Sequence, residues 1–128
     1  MRYLLAEEIL AIHDRVIETF GGLKGIRDFG LLHSIAERPK MAMMGKEFYP
    51  DIFAKAAAYF EAIATYHAFS DGNKRCAITA THVFLRANSY KLNVSTDAAF
   101  TFVMAVAVKK KSVEEIAKWL KKYSKKIS

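Results

Sequence analysis

The segment His67-Ala68-Phe69-Ser70-Asp71-Gly72-Asn73-Lys74-Arg75 gathers an imidazole, a carboxylate, two turn formers and two cations within nine positions. That set suits transfer chemistry on phosphates. His67 can accept a hydroxyl proton near neutral pH. Asp71 offers a hard oxygen ligand of the kind Mg²⁺ takes while it also holds substrate phosphates, with no second protein carboxylate required. Gly72 and Asn73 tolerate positive φ, which turns backbone N–H groups into a concave nest, and a helix starting beside them adds its positive end. Such a turn favours an anion, above all phosphate. Lys74 and Arg75 in the first helical turn oppose the macrodipole, a local cost that a bound anion offsets. Phe69 is an apolar pin that can anchor the turn in a core. Each feature alone has a plainer reading, because Asp-Gly-Asn is an ordinary turn, His is a common helix end and Lys-Arg a common solvated face. Together the seven specified positions, at roughly one in twenty each, would arise by chance about once in a billion start sites.

The elements that must position this segment read as helices. Ile9, Ile12, Val16, Ile17 and Phe20 recur at helical spacing and stop at Gly21-Gly22. Asp28 can cap a second helix carrying Leu31, Leu32 and Ile35, which must end before Pro39. Met41 to Pro50 reads as a loop. Asp51 then opens an Ala-rich helix that ends near His67, and another follows Asp71-Gly72 to about Asn88. Lys91–Val94 is short and extended, Ser95-Thr96-Asp97 supplies an N-cap for an apolar helix, and Ser112 with Glu115 forms a capping box before the last helix. The expected architecture is all-α, an orthogonal bundle of about six helices in a single domain over 1–128, with room for a small β-hairpin flap.

Composition narrows the function classes. The 128 residues are 52% hydrophobic and 26% charged, the range of a globular domain. One cysteine, Cys76, excludes an internal disulfide and a multi-thiolate zinc site and fits a reducing cytoplasm. Glu7 and Glu8 stand where an export signal would be apolar, and the most apolar run, Ala98–Val108, is far short of the roughly 20 residues of a membrane span. The net charge of +7 is concentrated from Lys109 onward, where eight Lys face two Glu. That pattern reads as a solvated face of the last helix rather than a nucleic-acid grip spread over a surface, so direct nucleic-acid binding is not expected. His13 and His82 read as packing residues, His33 has no assigned role, and Cys76 reads as packed although Arg75 beside it could lower its pKa. Arg27 and Asp28 read as a cap and a pin for the second helix, and Met41, Met43 and Met44 as adaptable loop side chains.

The segment resembles the His-x-Phe-x-Asp-Gly-Asn-Lys-Arg signature of the Doc (death on curing) toxins, a branch of the Fic superfamily. Gly25-Ile26-Arg27-Asp28, Gly30-Leu31-Leu32, Ser34 and Arg38-Pro39 are similar to the amino-terminal half of Doc proteins, so the resemblance spans essentially the whole chain. It implies a compact Fic fold, Mg²⁺, ATP as co-substrate and modification of a protein hydroxyl. The implied activity is that of a cytoplasmic toxin of a toxin–antitoxin system: transfer of the γ-phosphate of ATP to a Ser or Thr, elongation factor Tu being the family's target. A cognate antitoxin would neutralise it in trans. In these terms His67, Asp71, Lys74 and Arg75 are catalytic, Gly72, Asn73, Lys74 and Arg75 bind nucleotide, Asp71 holds the metal and Phe69 anchors the loop. Fic enzymes that transfer AMP have Gly where this chain has Lys74 and a second Arg where it has Ile78; both departures fit Doc. Ala68 replaces a Pro common in Fic motifs and Cys76 a Thr common in Doc. Transfer of AMP or another nucleotide is the alternative, and a non-enzymatic antitoxin-binding or nucleic-acid-associated module is the second alternative.

Overall fold

The computed structural model describes residues 1–127. Six α-helices form the body: α1 (Ala6–Phe20), α2 (Phe29–Glu37), α3 (Ile52–Tyr66), α4 (Asn73–Ala87), α5 (Thr96–Ala107) and α6 (Val113–Tyr123), with a 3₁₀ turn at Arg38–Lys40. Most of the predicted starts are built as the sequence suggests. Asp28 Oδ1 accepts from Leu31 N, Asp51 Oδ1 from Phe53 and Ala54 N, and Ser95 Oγ from Ala98 N. Ser112 and Glu115 close their box reciprocally. Caps of this type contribute about 1 kcal/mol each. α4 differs, because it opens on Gly72, which has no side chain to accept anything.

α3 is the hub. It is buried on nearly every side, and Ala56, Ala57, Ala58, Ala62 and Ala64 let α4 and the other helices approach closely while Tyr59, Phe60 and Ile63 fill the gaps. Tyr59 stacks edge-on against Phe84 of α4 at 4.9 Å and exchanges two hydrogen bonds with the Leu4 backbone, which fastens the amino terminus to the hub. Burial pushes its phenol up to about 12. On the opposite flank Trp119 of α6 lies flat on Phe102 of α5, centroids 4.0 Å apart.

The Met41–Pro50 stretch, read as a loop, holds the small hairpin that the expected architecture had room for: β1 (Ala42–Met43) with β2 (Lys46–Glu47), turning at Met44-Gly45, where both residues have positive φ. The hairpin is held from below by Lys55 of α3. That buried ammonium donates to Glu47 Oε1 at 2.8 Å and to the carbonyls of Pro39 and Tyr49, so its charge is both paired and hydrogen-bonded. One expectation changes: the basic tail is not one helix face. Helix α6 ends at Tyr123, and β4 (Ser124–Lys126) pairs antiparallel with β3 (Tyr90–Leu92), setting Lys91 opposite Lys125. Among the described residues no helix is long and apolar enough to cross a membrane.

Candidate active site

The 67–75 segment is the connection between the two most intimately packed helices, α3 and α4, and three neighbours hold its shape. His67 ends α3 in the left-handed region, φ 55° and ψ 48°, a conformation costly for a residue with a Cβ. Its carbonyl accepts from Arg27 Nε at 3.0 Å. The strand-like stretch at Gly25–Asp28 runs alongside. Arg27 N and Asp28 N both donate to Ala68 O, Ser70 N donates to Gly25 O, and Ile26 bridges to Phe69. Arg27 is thus a pin for the His67 backbone rather than for α2 alone. The His67 side chain is exposed and has no hydrogen-bond partner among the described residues.

Phe69 is 1% exposed, its ring parallel to that of His13 on α1 with centroids 3.8 Å apart. Asp71 points the other way, into solvent. Its Oδ2 accepts from Leu23 N at 3.1 Å and its Oδ1 from Gly72 N at 2.8 Å, and these two backbone donors hold the carboxyl below its usual range. The approach requires Gly22, because a Cβ there would stand 2.7 Å from Asp71 Oδ2. Each carboxylate oxygen accepts one bond and has further acceptor capacity, which fits one Mg²⁺ shared with phosphate oxygens. No cluster of three or more His, Cys, Asp or Glu able to hold a metal exists among the described residues, so such an ion would depend on Asp71 and the substrate.

Gly72 takes φ 74° and launches α4. The first helical bond of α4 runs from Cys76 N to Gly72 O, which leaves the N–H groups of Asn73, Lys74 and Arg75 without protein partners among the described residues. Three such donors at the positive end of a helix have the chemistry to receive an anion. The Lys74 ammonium stands close enough to Asp71 to help keep it ionised, behind the two backbone donors.

Two expected roles are altered by the geometry. Asn73 does not share the positive-φ turn, since it is already helical. Its amide instead clasps the Phe69 backbone, Oδ1 accepting from Phe69 N and Nδ2 donating to Phe69 O, so the side chain rivets the loop and only its N–H is free. The Arg75 guanidinium is sandwiched between the rings of Phe20 and Phe100, 4.0 and 4.5 Å from their centroids, at the edge of a 180 Å³ cavity that His82 also lines. Cys76 is buried and its thiol is pushed up to about 12, so Arg75 does not activate it. The larger open groove, about 490 Å³ along His82 to Leu92, is lined by no residue of the segment.

His13 and Arg27 carry the positioning that sequence reasoning did not assign. A signal for His13 was present: it falls on the buried stripe Ile9, Val16, Ile17, where an apolar residue is expected. Residues 3–85, which contain α1 and the whole His67–Arg75 segment, match the model of the Fic/DOC family. The chain is similar to "Protein kinase doc" of Escherichia phage P1, 34% identical over 122 residues that cover 95% of each protein. It is also similar to "Toxin Doc" of Mycolicibacterium smegmatis, 37% identical over 100 residues that cover 77% of each. A helical body with small antiparallel sheets, the histidine-to-arginine segment at its centre and these matches lead to one conclusion: the chain belongs to the Fic/DOC family.

Proposed function

We propose that this protein is a Doc-type toxin that moves the γ-phosphate of ATP to a Ser or Thr hydroxyl of a cellular protein, with elongation factor Tu as the target and arrest of translation as the result. The observation that supports this reading is the start of α4, where three N–H groups without protein partners among the described residues follow directly on the Asp71 carboxylate, in the same connection that begins at the exposed His67. In the reaction His67 takes the proton of the target hydroxyl as its oxygen bonds to the γ-phosphorus, and the bond from that phosphorus to the β-γ bridging oxygen breaks to release ADP. The N–H groups of Asn73, Lys74 and Arg75 and the Lys74 ammonium receive the charge on the phosphate oxygens. Asp71 would hold Mg²⁺, which when bound supplies neutralisation of phosphate charge. Phosphoryl transfer depends on positioning and electrostatic stabilisation more than on covalent chemistry by the protein, so a constellation this small suffices. Arg75 takes part through its N–H, its guanidinium being engaged by Phe20 and Phe100.

The match to a protein named a toxin, together with the family resemblance, supports a cytoplasmic toxin–antitoxin pair in which a cognate antitoxin neutralises this chain in trans. Comparing label transfer from γ-labelled and α-labelled ATP into elongation factor Tu, with Mg²⁺, tests the proposal. Label from the γ position alone is expected. Label from the α position would replace the kinase reading with nucleotidyl transfer, and label from neither would leave a non-enzymatic role.

A further inference from the structure

One side chain outside the segment touches it at two points. His13, midway along α1, is completely buried. Its Nε2 lies 2.6 Å from the Asp71 carbonyl, and its ring lies flat on Phe69, 6° from coplanar. Since Nε2 faces an acceptor, it is the nitrogen that must carry a proton. Nδ1 is buried and has no partner among the described residues. A buried polar atom without a partner destabilises a fold. Leu or Phe on the Ile9, Val16, Ile17 stripe would pack without that cost, so the imidazole is poorly chosen for stability alone. Its one satisfied atom acts on the loop.

We propose that His13 is a positioning residue for the loop: its Nε2–H turns the Asp71 carbonyl inward and so fixes the outward direction of the Asp71 carboxylate and of the N–H groups that start α4. The inference rests on the reading of that loop as the active site. The geometry supplies the linkage. The Asp71 carbonyl and the Gly72 N–H belong to one rigid peptide plane, so anchoring the oxygen also fixes the donor that holds Asp71 Oδ1. Gly72 packs directly against α1, since a Cβ there would stand 3.6 Å from His13 Nε2 and 2.9 Å from Ile17 Cδ1. Released from Nε2, the plane can rotate, and Gly72 can change φ without steric resistance of its own.

Two substitutions separate the donor from the ring. His13→Phe keeps the ring on Phe69, removes the donor and also removes the unpaired Nδ1. His13→Gln can bring an amide N–H to the position of Nε2 but loses the ring. His13→Phe exchanges the unpaired Nδ1 for an unpaired Asp71 carbonyl; we expect a KM for ATP within about threefold, and kcat for phosphate transfer reduced tenfold or more. Amide hydrogen exchange across residues 70–74 should rise at least tenfold while that of α3 is unchanged. His13→Gln should recover part of both losses. A His13→Phe protein with wild-type kcat and wild-type exchange in the loop overturns the proposal. Should His13→Phe not fold, nitrogen NMR of the wild-type imidazole decides, because a protonated Nε2 is required and a bare Nε2 contradicts the proposal. A wild-type chain that transfers no γ-phosphate would refute the kinase reading, while loop exchange and tautomer still decide the role of His13.

Discussion

The two ends of α4 are built from similar materials and finished differently. Each has a residue in the left-handed region, Gly72 at φ 74° before the helix and Ser89 at φ 72° after it. At the far end the chain closes on itself. The Asn88 amide accepts from Arg2 N and donates to the carbonyls of Arg2 and Phe84, Ser89 N donates to Arg86 O, and Ile127 N closes on Ser89 O. Arg86 in the last turn also has the sign that the helix dipole favours. At the near end three N–H groups have no protein partner among the described residues, and Lys74 and Arg75 carry the sign that the dipole opposes. A helix end closed by its own chain is doing structural work. An end left open, with unfavourable charge and with its surrounding loop tied down by Arg27, Asn73 and His13, is prepared for something that is not part of the chain.

Breaking the open end should cost activity, and breaking the closed end should cost stability. The largest effect is expected from His67→Ala, which should lower phosphate transfer by a hundredfold or more, the range general base catalysis supplies, while ATP affinity from equilibrium dialysis stays near wild type. Gly72→Ala comes next. Its positive φ costs about 1–2 kcal/mol for a residue with a Cβ, and the added carbon meets Ile17, so calorimetry should show a lower Tm accompanied by weaker ATP binding. Asn88→Ala sharpens the comparison from the other side. Loss of three hydrogen bonds should lower stability by about 1 kcal/mol in urea unfolding and leave kcat and KM unchanged.

The smallest effect lies between the two ends. Burial depresses the pKa of His82 below its ordinary 6.5. The unfolded chain therefore takes up that proton first, so the stability contributed by keeping His82 neutral is present above pH 6.5 and declines as pH falls below it. His82→Gln should flatten the stability profile between about pH 7 and 5.

The pattern of the helices was legible because caps and apolar periodicity are local: Asp28, Asp51, Ser95 and the Ser112–Glu115 box each sit where the chain itself announces a start. The 67–75 segment was legible for the same reason, being contiguous. What escaped sequence reasoning is set by distance along the chain. β4 becomes a strand only by meeting β3 more than thirty residues earlier, and Lys55 is buried only because Glu47, Tyr49 and Pro39 converge on it. The Arg75 guanidinium looked free beside Asp71, yet Phe20 and Phe100, from either side in sequence, engage it. His13 is the strongest case, since its position on an apolar stripe signalled burial but nothing in the sequence named the Asp71 carbonyl as its partner.

The most direct test is titration of the isotope-labelled protein with Mg²⁺ and ATP while following backbone amide resonances at both ends of α4. The account predicts that Asn73, Lys74 and Arg75 shift saturably and that Asn88 and Ser89 do not move. Shifts confined to the far end, or no shift of residues 73–75 at saturating nucleotide, would contradict the claim that α4 opens onto the triphosphate.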